Sequence, residues 1–234
     1  MLTLTGSFSN PPSASAQTDG SFASLPRFPK QIVPGQRYPP GVEILRQGAV
    51  PEDVWILDEG VVKLVHIAED GHEAVVGLRR VGWILGASAA IIARPNAVAA
   101  ITLTACDVQR LDARTFLEML VTDPQLSMWL HRIHSREVFD ELTSLTQVSM
   151  LPAKRRLQQV LGDLIEGLRT AGSNHRDRIA LPLSYRELAG LVAVTPEHLS
   201  RLFNQLQADG IVRRDKGWLI VPDLNRLLAS SGLT

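Results

Sequence analysis

One cysteine, Cys106, stands in a chain of 234 residues. A lone cysteine excludes an intrachain disulfide framework, a four-cysteine zinc site and a cysteine-ligated iron–sulfur cluster held within one chain. It also points to a reducing compartment and a cytoplasmic location. No apolar run approaches the ~18 residues of a membrane span, so no membrane is expected among the partners. The start, MLTLTGSFSNPPSASAQ, lacks the basic opening and apolar core of a signal peptide. The usual enzyme signatures are missing too. There is no G-x-S-x-G, no H-E-x-x-H and no phosphate-cradling glycine loop, so no enzyme is expected. A net excess of either charge is also absent, since 24 Lys and Arg balance 24 Asp and Glu. The balance is uneven along the chain. Residues 1–150 hold 12 basic against 16 acidic side chains, and residues 151–234 hold 12 against 8. An acidic front and a basic back suggest two jobs, with a polyanion as partner of the second.

What is present divides the chain. Residues 1–26, rich in Ser, Ala, Pro and Asn without an apolar stripe, read as a disordered tail. Residues 27–123 show short apolar runs cut by glycine. Val54-Trp55-Ile56-Leu57, Val61–Val65, Ala74–Leu78, Ala97–Thr104 and Val108–Leu111 are separated by turn residues every 8–12 positions. That texture predicts an antiparallel sandwich or jelly roll. Glu69-Asp70-Gly71-His72 reads as a hairpin turn in which Asp-Gly supplies positive φ.

Near Asp112 the period changes to that of helices. Asp123-Pro124 is a cap followed by proline at the first helical position. The helix it opens, 124–150, is stopped by Pro152. In it His131, Ser135, Val138, Leu142, Leu145 and Ser149 recur in the 3.5-residue rhythm of a coiled-coil seam, which predicts a dimer interface. A second stripe, Leu130, Ile133 and Val138, can face the chain's own sandwich. His131 and His134, one turn apart, read as a polar pair in the seam. No metal site is expected among the six histidines, and Trp83 and Trp129 read as core filling. After Pro152 the residues Leu157, Val160, Leu161, Leu164, Ile165 and Leu168 line one apolar helix face. The stretch Asn174–Leu181 reads as a polar loop.

The strongest local signal lies within 151–234. Ser184-Tyr-Arg-Glu187 is a capping box at the head of an amphipathic helix that buries Leu188, Leu191 and Val192. Ala193-Val194 is a turn. Thr195 caps a second helix with Pro196 in its first turn, and Leu199, Leu202 and Leu206 form the core face. Two short helices joined this way make a helix-turn-helix. Glu197, Ser200, Arg201 and Asn204 fall on the opposite, exposed strip, with Thr195 and His198 beside it. Arginine can fork onto guanine and a carboxylate can accept from cytosine, so this strip suits a major groove. Ile211–Arg214 and Trp218–Val221 flank a turn at Asp215-Lys216-Gly217. They read as a hairpin wing whose Arg213, Arg214 and Lys216 lie on phosphates. Double-stranded DNA is therefore the expected partner.

The order of glycine-punctuated sandwich, long helix and winged helix-turn-helix resembles the CRP/FNR family of transcription regulators over roughly residues 30–230. The glycine spacing is carried by Gly48, Gly60, Gly71, Gly82 and Gly86. The strip Glu197-His198-Leu199-Ser200-Arg201 matches the E-x-x-S-R recognition helix of the FNR-like branch. The resemblance implies an α+β chain with an N-terminal jelly roll like a cyclic-nucleotide-binding domain, a dimerisation helix and a C-terminal winged helix-turn-helix. It further implies a homodimer on a TTGAT-like palindrome, with Glu197 and Arg201 at the G·C pair, Ser200 at a thymine, and RNA polymerase as a partner. A ligand- or haem-binding sensor whose DNA binding is secondary is the alternative.

The sequence departs from the family pattern at three points. The ligand-pocket positions are Gly82, Gly86, Ala87, Arg94 and Asn96. Ala87 stands where a carboxylate would bind the ribose of cyclic AMP or cyclic GMP, and Arg94 is offset from the phosphate position. One cysteine cannot hold the iron–sulfur cluster of the oxygen-sensing branch. Haem-sensing members exist, so the cofactor is left unassigned. Third, Ala193 replaces the glycine of the helix-turn-helix turn. At positive φ an alanine there costs about 1 kcal/mol.

Overall fold

The computed structural model describes residues 33–170, 178–179, 181–215 and 218–229. The tail assigned to residues 1–26 lies outside them, as do residues 27–32. Two four-stranded antiparallel sheets form the front half. The first places β1 (Val33–Tyr38), β8 (Cys106–Asp112), β3 (Asp53–Glu59) and β6 (Ile84–Leu85) side by side. The second runs β2 (Glu43–Leu45), β7 (Ala99–Thr102), β4 (Val62–Ile67) and β5 (Glu73–Arg79). Leu57, Val62, Ala100, Cys106 and Val108 fill the space between them. Val54, Ile56 and Leu111 face the other way and pack on Phe116 and Leu130. The first sheet is thus covered on both sides, which is why Val54–Leu57 is apolar without strict alternation.

Turn chemistry fixes the strand ends. Gly71 takes φ +81° in the β4–β5 hairpin, as Asp-Gly predicts. Gly60 takes φ +100°, and a Cβ there would sit 2.5 Å from Cys106 Sγ and 2.6 Å from the Ala105 carbonyl oxygen. Cys106 is fully buried. Burial pushes its thiol pKa up, and the thiol donates to the Val61 carbonyl at 3.4 Å. Cys106 is an ordinary strand residue.

Helices close the sandwich. A short α1 (Ala87–Ile91) precedes α2 (Ala113–Thr122), which Asp112 caps by accepting from the Thr115 amide at 2.9 Å. Asp123 caps α3 (Pro124–Met150), its Oδ1 accepting from the Gln125 and Leu126 amides at 2.9 and 3.1 Å. The first half of α3 buries Leu126, Leu130 and Ile133. Farther along, Val138, Phe139 and Leu142 are 56%, 67% and 59% exposed. Val138 therefore leaves the stripe that faces the sandwich. His134 turns toward its own chain, with Nε2 3.2 Å from Ser88 Oγ, whereas His131 is exposed.

Behind Pro152 come α4 (Ala153–Thr170), β9 (Arg178–Ile179), α5 (Tyr185–Val192), α6 (Pro196–Ala208), β10 (Arg213–Asp215), β11 (Trp218–Ile220) and α7 (Leu224–Ala229). Leu157, Leu161, Leu164 and Ile165 of α4 join Leu188, Val192, Leu199, Phe203 and Leu206 in one core. That core continues onto the sandwich through Val61 and Leu103. The stretch expected to be wholly loop contains β9, a two-residue strand paired with β11. No local pattern announces it, because its extended state comes from that pairing.

Candidate nucleic-acid interface

The helix-turn-helix is built by its caps. Ser184 Oγ accepts from the Glu187 amide at 3.3 Å, and Glu187 Oε2 accepts from the Ser184 amide at 2.7 Å. Both halves of the capping box are closed, which fixes where α5 begins. Its end is a left-handed residue, Ala193, at φ 55° and ψ 54°. Two residues later Thr195 Oγ1 accepts from the His198 amide at 3.2 Å, and Pro196 opens α6. Ala189, 1% exposed, allows the close approach at the crossing of the two helices.

Sequence reasoning missed Arg156. Its Nε donates to the Val192 carbonyl at 2.8 Å, its Nη2 to Ala193 at 3.2 Å and its Nη1 to Leu151 at 2.8 Å. One guanidinium thus satisfies the orphan carbonyls at the end of α5 and ties the turn to α4. No local signal marks it, since the partners lie 36 and 37 residues away. Phe203 was missed as well. It is fully buried and packs on Tyr185 with ring centroids 5.6 Å apart, which locks α6 on α5.

Leu199, Leu202, Phe203 and Leu206 take the inner face of α6, at 0–4% exposure. The remaining face presents Glu197, Ser200, Arg201 and Asn204, all exposed. Thr195 is exposed beside them and His198 is half-buried. The Glu197 carboxyl is held below the usual glutamate range by its own backbone amide, with help from the Thr195 hydroxyl and the nearby Arg201. A carboxylate and a guanidinium therefore sit together, both charged, at the head of α6. Beside it β10 and β11 form the wing, with Arg213 opposite Ile220 and Arg214 opposite Leu219. Arg213 is exposed. Lys216 lies outside the described residues.

The protein-family model described as a Crp-like helix-turn-helix domain matches residues 155–230. That described as a cyclic nucleotide-binding domain matches residues 35–123. The chain belongs to the CRP/FNR family of transcription regulators.

Members of this CRP/FNR family bind DNA through the helix-turn-helix and are regulators, not enzymes. Among similar proteins is the transcriptional activator protein FnrA of Stutzerimonas stutzeri. It is 26% identical over 196 residues, which cover 82% of this chain and 78% of that protein. The transcriptional activator protein FnrL of Cereibacter sphaeroides is 25% identical over 211 residues, 87% of this chain and 82% of that protein. The same fold occurs in a CRP/FNR-family transcriptional regulator from Thermus thermophilus, TTHA1359, with a TM-score of 0.70 and 21% identity. That likeness covers 85% of this chain and 98% of the other. FixK2 from Bradyrhizobium japonicum gives a TM-score of 0.69 at 18% identity, covering 85% and 96%.

In the front half of this CRP/FNR regulator the expected pocket positions serve the sandwich. Gly82 and Gly86 take φ +89° and +84°, and Gly86 starts α1. Ala87, 1% exposed, packs among Val54, Ile56 and Phe116. Arg94 is exposed. Asn96 is 6% exposed, and its Nδ2 donates to the Arg46 carbonyl at 3.2 Å. A buried methyl group stands where the family resemblance implies a ribose-binding carboxylate. These residues do not fit a cyclic nucleotide held in the way the family resemblance implies. Among the described residues no three His, Cys, Asp or Glu are grouped to hold a metal ion. No described helix is long and apolar enough to cross a membrane.

Proposed function

We propose that this chain acts as a homodimer that reads a TTGAT-N4-ATCAA-like palindrome through the exposed strip of α6. Arg201 forks onto the guanine of each half-site while Glu197 accepts from the paired cytosine. Ser200 meets a neighbouring thymine. Thr195, His198 and Asn204 flank these contacts, and Arg213, Arg214 and Lys216 of the wing lie along the phosphate backbone. The observation that carries this reading is the pairing of exposed Arg201 and Glu197 at the head of a capped helix, opposite a buried apolar face. The E-x-x-S-R order of the same strip supports the choice of half-site.

The second half of α3 supports the dimer. Val138 and Leu142 expose apolar surface on the seam, next to Phe139, and a second copy of α3 is the occupant of matching pattern. Two-fold pairing then sets two recognition helices about 34 Å apart on one face of the duplex. RNA polymerase is the further partner in this reading, in keeping with relatives named as transcriptional activators.

A gel-shift titration tests the assignment. Arg201→Ala is expected to cost about 1–3 kcal/mol per half-site and to relax selectivity at the guanine. Arg213→Ala is expected to weaken all sequences alike and to shallow the salt dependence. Unchanged specific binding by Arg201→Ala would remove the base-contact assignment.

A further inference from the structure

The first turn of α4 carries charge of the sign its position disfavours. A helix start holds partial positive charge in its unbonded amides, and no acidic residue stands in this turn. Lys154, Arg155 and Arg156 follow one another there. Arg156 is spent on the carbonyls at the end of α5. Lys154 pairs with Asp209 at the end of α6. Arg155 is different. Its Nη1 is buried and has no hydrogen-bond partner among the described residues. A buried guanidinium nitrogen without an acceptor is costly, and its planar fork matches phosphate oxygens.

Arg155 lines a cleft of about 610 Å³ between the start of α4, the end of α6 and α7. Lys154, Arg155 and Arg226 bring three positive charges to its wall against the single negative charge of Asp209. Arg226 is steadied by Nη2 donating to the Asp209 carbonyl at 3.0 Å. Gln158, 1% exposed, faces the cleft with a long 3.4 Å bond from Nε2 to the Leu227 carbonyl. Pro152 and Ile211 add apolar wall. The volume falls in the range of small-molecule sites.

We propose that this cleft binds a small phosphate-bearing anion. Arg155 and Lys154 hold the phosphoryl oxygens, Arg226 adds charge, and Gln158 with the Pro152–Ile211 wall takes the remainder. The site is separate from the base-reading strip. Glu197 and Asp209 stand at opposite ends of α6, roughly 18 Å apart along its axis. A bound anion braces the far end of the recognition helix against α4. The proposal goes beyond DNA recognition and does not depend on the half-site assigned above.

The test is calorimetric titration of inorganic pyrophosphate into the full chain at low ionic strength. Saturable binding at one site per chain is expected, weakened at least tenfold by Arg155→Gln. Arg114→Gln, on the surface of α2, is expected to leave it unchanged. Arg155→Lys keeps the charge and loses the fork, and is expected to bind with intermediate strength. It also serves as the readout if Arg155→Gln fails to give a cooperative thermal melt. Absence of saturable binding overturns the proposal, as does equal weakening by Arg114→Gln or full binding by Arg155→Gln. A parallel DNA titration separates the other source of phosphate. If Arg155→Gln flattens the salt dependence of DNA binding while pyrophosphate does not bind, Arg155 serves the DNA backbone and the proposal fails.

Discussion

Lys63 of β4 and Glu187 of α5, 124 residues apart in sequence, form an ion pair that joins the N-terminal sandwich to the DNA-binding half. Their side chains are 17% and 25% exposed, so water screens the pair only in part. The same carboxylate closes the capping box of α5. Burial by itself raises the Glu187 pKa. The bonds from Lys63 and from the Ser184 hydroxyl and amide outweigh it and hold the carboxyl below the usual glutamate range.

Glu187→Gln separates the two roles, because glutamine also closes a capping box. In a double-mutant cycle with Lys63→Met, urea unfolding at pH 7 is expected to give a coupling of about 1–2 kcal/mol, between exposed and fully buried pairs. The sign of the pH effect follows from the depressed pKa. The contribution is present above the ordinary glutamate pKa and is lost as pH falls through the lower, folded value. The coupling is therefore expected to fade as pH falls below the ordinary glutamate range. A cycle that closes to zero at pH 7 would show that the contact adds nothing.

Ala193 holds a left-handed conformation that glycine adopts freely, while Gly190, three residues earlier, occupies helix α5 with open space around it. Ala193→Gly is expected to stabilise the fold by about 1 kcal/mol. Gly190→Ala is expected to add about 0.5–1 kcal/mol through helix propensity. Each raises the melting temperature by a few degrees, roughly 2–4 °C per kcal/mol at this chain length. A lower melting temperature for Ala193→Gly would contradict the strained turn.

Gly60 has no room for a side chain. Gly60→Ala drives a methyl group into Cys106 Sγ and the Ala105 carbonyl at a positive φ. Overpacking and backbone strain together are expected to cost about 3–5 kcal/mol. Gly71, at φ +81° with nothing within 4 Å, isolates the strain. Gly71→Ala is expected to cost only about 1–2 kcal/mol. Chemical denaturation that ranks the two equally would refute the steric account.

The distal half of α3 is expected to hold the dimer together. Leu142→Asp combined with Leu145→Asp should yield monomers in sedimentation velocity while the far-ultraviolet helix signal is kept. Persistence of the dimer would move the interface elsewhere. Loss of the palindrome's cooperative binding should accompany dissociation, since half-sites are then read singly.

Much of the candidate interface was legible because its signals act over three or four residues. Ser184 and Glu187 announced one helix start, Thr195 and Pro196 another, and Asp123 and Pro124 a third. Leu199, Leu202 and Leu206 marked the buried face of α6, leaving Glu197, Ser200, Arg201 and Asn204 outside by geometry alone. The Asp-Gly turn and the glycine-cut apolar runs announced the sandwich. Six short elements escaped. β1, β2, β6, α1, β9 and α7 have two to six residues, too few to show a period, and β9 owes its strand state to its neighbour β11. Spacing puts His134 one turn from His131 but cannot say which of the two meets Ser88.

The amino-acid order by itself determined where helices and turns begin and which side chains of α6 are turned out, since caps, stripes and glycine act locally. Tertiary packing alone decided that Lys63 meets Glu187, that Arg156 closes the turn at Ala193, and that Lys154, Arg155 and Arg226 share a cleft. These groups lie tens to more than a hundred residues apart. Only burial of the common apolar core, running from Leu157 through Phe203 to Val61, brings them within bonding distance.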